Sequence, residues 1–125
     1  MSWDVVLFNS NQEIKSVADL DENDLVPTEF DSALENHFKQ MIKEENRREI
    51  KGSDFSIDYY VNGEDVSNKM LSIYGQNGIY ALIEFAKKHN YQLYDSGFDG
   101  MLDLEKPEKN GYGDFQKYLK HVLRS

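Results

Sequence analysis

The run Phe55-Ser56-Ile57-Asp58-Tyr59-Tyr60-Val61-Asn62-Gly63 puts Phe55, Ile57, Tyr59 and Val61 on every second position. Successive side chains of a strand point to opposite faces, so the alternation reads as a strand with one buried and one wet face. Asn62-Gly63 is a turn signal. Lys69 to Tyr74 supplies a returning strand with Leu71 and Ile73 inward, which sets an antiparallel hairpin in mid-chain with Glu64 and Asp65 at its tip.

Upstream, Trp3 to Phe8 is an apolar stretch of strand length, stopped by Asn9-Ser10-Asn11. Phe30, Ala33, Leu34, Phe38, Met41 and Ile42 then recur at helical spacing. Glu29, Asp31 and Glu35 precede Lys39, Lys43, Arg47 and Arg48, the order that suits a helix dipole, and Thr28 with Asp31 approximates a capping box. One long helix is predicted there. Downstream, Gly75-Gln76-Asn77-Gly78 breaks the strand and leads into a second helix bearing Ile79, Leu82, Ile83 and Ala86, with Asn77 as its N-cap. A fourth strand is predicted at Tyr91 to Tyr94. After an irregular run a last helix follows Asp114, with Phe115, Tyr118, Leu119 and Val122 as its stripe.

The order β-α-β-β-α-β-α predicts one α+β domain over residues 1–125. The expected plan is ferredoxin-like βαββαβ, with a four-stranded antiparallel sheet, both inner helices on one face and an added C-terminal helix. Residues 9–26 make a long connection for such a plan, so a short helical turn is expected at 16–20 or 22–25.

Hydrophobic residues are 39% and charged residues 30% of the chain, a globular composition, and there is no cysteine. Disulfides and thiolate metal sites are thereby excluded. The start of the chain lacks a basic segment before its short apolar run, so the expectation is a cytoplasmic protein with no membrane association. The net charge of −9 repels phosphate backbones, which disfavours nucleic acid and favours a cationic protein partner.

No motif assembles reaction chemistry. His37, His89 and His121 are not at ligand spacing, and no HExxH, nucleophile elbow or phosphate loop occurs. Asp95 to Asp99 starts like a calcium loop but offers Gly97 and Lys106 where oxygen ligands are needed. No cofactor, no metal and no enzymatic activity are expected; the alternative reading is a small-ligand-binding regulatory domain, or a small enzyme without a recognisable motif. Phe8, Tyr60, Tyr74 and Tyr94 fall on one sheet face in the expected plan, as in base-stacking RNA modules, but Asp4 and Asp58 share that face and the basic residues for phosphate are missing. Cover by the C-terminal helix, a homodimer or another protein is the expected fate of that face.

Trp3-Asp4-Val5-Val6-Leu7-Phe8, Ser72-Ile73-Tyr74-Gly75 and Met101-Leu102-Asp103-Leu104-Glu105 resemble segments of small acidic bacterial proteins of unassigned function. In size, charge and want of a catalytic signature the chain is also similar in type to bacterial toxin-immunity proteins, a resemblance that implies an inhibitor of a protein toxin. The residues expected to meet a partner are Asp19, Asp21, Glu22, Asp24, Glu64 and Asp65, with Tyr60 and Tyr74 as aromatic anchors. Arg47, Arg48 and Lys51 are expected at the opposite end of the sheet.

Overall fold

The computed structural model describes residues 2–10, 12–14, 21–75, 77–96, 100–102 and 104–105. Strands β1 (Trp3–Phe8), β2 (Met41–Glu44), β3 (Arg47–Lys51), β4 (Phe55–Tyr60), β5 (Asn68–Gly75), β6 (Gln92–Asp95) and β7 (Gly100–Met101) accompany helices α1 (Phe30–His37) and α2 (Gly78–His89). The strands form one seven-stranded sheet in the order β2-β3-β4-β5-β1-β6-β7. Every pairing is antiparallel.

The four-stranded ferredoxin-like plan is therefore corrected to a larger, β-rich sheet. The four strands expected from the sequence are its middle, β4-β5-β1-β6, and β2, β3 and β7 extend it on both sides. The main misreading lies in residues 38–51. α1 stops at His37, where Phe38 turns extended, and Met41–Glu44 and Arg47–Lys51 form a hairpin around Glu45, whose φ is 42°. A helix through Ile42 would have buried that residue, whereas the hairpin leaves it exposed and buries Ile50. Phe38 and Met41 still pack on the core, so the strand satisfies part of the stripe that suggested a helix. In the hairpin Glu44 lies opposite Arg47 across the turn, and the two side chains form an ion pair. The expected C-terminal helix lies outside the described residues, as does the possible turn at 16–20; a 3-10 turn does occur at Glu22–Asp24.

Alternation sorts the sheet cleanly. Trp3, Val5, Leu7, Ile50, Ile57, Tyr59, Leu71, Ile73 and Leu93 point to one face and form a single core with Phe30 and Leu34 of α1 and Ile79, Leu82, Ile83, Phe85 and Ala86 of α2. Both helices thus cover the same face. α2 begins so close to the sheet that a Cβ on Gly78 would come within 2.6 Å of the Ile73 side chain. Asn90 closes it in the left-handed region at φ 58°, its N–H donating to Ala86 and Lys87 carbonyls. Phe8 and Ile14 are also buried, yet they stand outside that core.

Candidate functional site

The backbone first brings two loops together at one end of the sheet. β1 runs antiparallel to β5 with Phe8 opposite Asn68, so the chain leaving β1 and the loop entering β5 share that end. Ser10 bridges Leu25, and Val26 N–H donates to Asn9 carbonyl at 2.8 Å. Thr28 and Val66 then exchange both backbone hydrogen bonds, at 2.9 and 3.0 Å, stitching the first loop to the second. Asp21 and Asp24 belong to the first loop, and Glu64 and Asp65 to the second.

A buried ion pair fixes the second loop from below. Lys69 lies on the covered face of β5 and Asp31 at the start of α1, both nearly inaccessible, with Nζ and Oδ1 2.9 Å apart. Asp31 Oδ2 accepts from the N–H groups of Asn62 and Gly63 at 2.9 and 3.3 Å. Lys69 Nζ donates to Asn62 Oδ1 at 2.6 Å and to the Tyr60 carbonyl, and sits 5.5 Å from the centre of the Tyr59 ring. Every charged atom thus has a partner, the condition for tolerating charge in a dry site. Burial pushes the Tyr59 hydroxyl well above the usual tyrosine range, with Glu35 and Asp31 adding to the rise. Asp31 serves as a loop anchor, while Glu29 caps α1 by accepting from Ser32 N–H at 3.2 Å.

The expected partner-binding residues are placed as follows. Asp21, Glu64 and Asp65 are exposed and Asp24 is half-buried at the stitched end. Asp21 accepts from Asn23 N–H at 2.9 Å, and among the described residues no ion pair engages Asp21, Asp24, Glu64 or Asp65. The backbone of Glu22 lies in the 3-10 turn, and Asp19 is outside the described residues. Tyr60 joins this end, 65% exposed on the face the helices leave open. Tyr74 shares the face but not the end, since it pairs with Ser56, four residues back along β4 from Tyr60.

The expectation for the basic residues is corrected. Arg47 lies beside Tyr60, and Val61 N–H bonds to the Asn46 carbonyl, so the β2–β3 turn carries Arg47 and Arg48 to the acidic end; only Lys51 lies at the other. A helix would have carried them away, and the hairpin brings them back. They are not free cations. Arg47 meets Asp58 at 2.9 Å, and that hydrogen bond holds its guanidinium pKa above the usual value. Arg48 meets Glu35 at 3.0 Å, and Lys51 meets Glu49 at 2.8 Å, which holds the Glu49 carboxyl below its usual range.

Sequence reasoning missed Asp31 and Lys69. An isolated lysine on the inward register of an otherwise apolar strand, Lys69-Leu71-Ile73, was the available signal. Among the described residues no group of three or more His, Asp or Glu side chains is placed to hold a metal, and no helix is long and apolar enough to cross a membrane. No family model, curated protein or solved structure matches the chain.

Proposed function

We propose that the protein is a non-enzymatic binding protein of the immunity type, which neutralises a cationic toxin by masking its active surface. The observation that carries the reading is the pair of acid-bearing loops, stitched at Thr28–Val66, held by Asp31 and Lys69 and left without ion pairs among the described residues. Arg47, Arg48 and Lys51 are each held by a carboxylate in place, so none of the three offsets the acids of this end in a molecule carrying −9. Enzymes that cut nucleic acid carry cations to hold phosphates, so a pre-set acidic end gains electrostatic steering toward them and competes for the same groups. Loop anchoring adds to this, because an ordered loop loses less entropy on binding. Tyr60 supplies an aromatic contact beside the acids.

The test is capture from extract of the source cell at low salt, identification of what binds, and assay of its activity with and without the full chain. A basic protein whose activity the chain inhibits is expected. The variant Asp21→Asn, Asp24→Asn, Glu64→Gln, Asp65→Asn should keep its fold and lose both capture and inhibition. Equal inhibition by that variant, or no inhibited basic protein at all, would overturn the reading.

A further inference from the structure

Strand β2 is a lateral edge of the sheet, and its backbone is only half used. Lys51 N–H donates to the Gln40 carbonyl at 2.9 Å, and Gly52 N–H donates to the Phe55 carbonyl at 2.9 Å. Antiparallel partners alternate between hydrogen-bonded and non-bonded pairs. Ile42–Glu49 and Glu44–Arg47 are therefore the bonded pairs of the β2–β3 hairpin, while Arg48 and Ile50 turn their peptide groups toward β4. Met41 and Lys43 consequently aim their N–H and C=O groups away from β3, and among the described residues no strand lies on that side. The edge is accessible as well: Ile42, Lys43 and Glu44 are exposed, and Ile42 is an apolar side chain with 43% of its surface in solvent. Such an edge is a template for another strand.

We propose that two copies of the chain join antiparallel through β2, making one sheet continuous across a two-fold axis at Ile42. Met41 then lies opposite Lys43 of the second copy, and Lys43 opposite its Met41, so the outward groups of both residues are satisfied. The same register sets Ile42 against Ile42, Gln40 against Glu44 and Lys39 against Glu45 of the second copy, with opposite charges at both ends of the seam. Sliding one strand by two residues, the next register that keeps the outward groups paired, puts Lys43 against Lys39 or against Lys43 of the second copy. Like charges opposite each other disfavour both slips. The net charge of −9 does not bear on this edge, since residues 39–51 hold five Lys or Arg and three Glu. An isologous contact uses the β2 edge of both copies and closes at a dimer. The inference goes beyond the binding reading and uses none of its acidic loops.

The experiment is sedimentation equilibrium of the full chain at concentrations up to about 1 mM, which detects even a weak dimer. A mass rising from monomer to dimer is expected, and a monomer throughout, or growth past the dimer, would overturn the proposal. Ile42→Lys and Ile42→Glu should each weaken association roughly tenfold or more, and an equal mixture of the two should restore it, because position 42 meets itself across the axis. Lys43→Pro deletes an outward N–H that no described strand receives, so it should keep the urea midpoint and abolish the dimer. The chain has no cysteine, and facing Cα atoms in a non-bonded antiparallel pair are ~4.5 Å apart, within disulfide reach. Ile42→Cys should therefore oxidise to a cross-linked dimer, whereas Met70→Cys, at a position 54% exposed but away from the seam, should not. A dimer indifferent to both charges at position 42, or equal cross-linking of the two cysteine variants, would place the contact elsewhere and overturn the proposal.

Discussion

Removing either charge of the Asp31–Lys69 pair leaves the other buried and unmatched. Asp31→Asn and Lys69→Met are each expected to cost about 3–5 kcal/mol of stability in urea denaturation. The double variant should cost less than the sum of the two, since it strands no charge; strict additivity would mean that the two side chains act independently. His37 sets a pH dependence. Burial lowers its pKa below 6.5, helped by Lys88, His89 and Lys39 and opposed by Glu84. Its ring lies 4.6 Å from Phe38 and 5.2 Å from Phe85. The folded state then binds this proton less readily than the unfolded chain, so stability declines as pH falls from the unfolded value toward the lower folded one. Denaturation midpoints of the native chain should fall over that window, and His37→Gln should flatten the fall. An identical slope in the variant would remove His37 from the account.

At the scale of elements, α2 is seated closely on the sheet. Alanine normally gains about 1 kcal/mol over glycine inside a helix. At Gly78 the sign should reverse, because the new methyl meets Ile73 and Phe55 at 2.6 and 3.3 Å. A loss of about 1–3 kcal/mol is expected for Gly78→Ala, and a gain in the denaturation midpoint would show that α2 can rise off the strand. The same scale shows what the sequence could reveal. Period two at residues 55–61 and 69–74 gave the right strands and the right inward faces, because each strand buries one face only. Residues 38–51 failed because Phe38 and Met41 reach the core from extended backbone, so helical spacing and strand alternation predicted the same buried residues. Only the exposure of Ile42 and the burial of Ile50 separate the two. The turn offered little help, since its left-handed residue is Glu45 rather than glycine.

For the whole molecule, the acids of the candidate surface were legible in the sequence, Asp21 and Asp24 within residues 16–38, which hold no lysine or arginine, and Glu64 and Asp65 at the hairpin tip. Their support was not legible, because it depends on Asp31 and Lys69, thirty-eight positions apart, meeting in the folded chain. The misplaced Arg47 and Arg48 show the same limit: charge runs are read along the chain, whereas fields are set by where hairpins turn. The central claim is that the stitched acidic end is what a cationic partner grips. Amide hydrogen exchange of the full chain, alone and with the basic protein it captures, tests that most directly. Added protection at residues 21–28 and 60–66, with the outer face of α2 unchanged, is the result this account requires; protection on α2 with the two loops exchanging as before would contradict it.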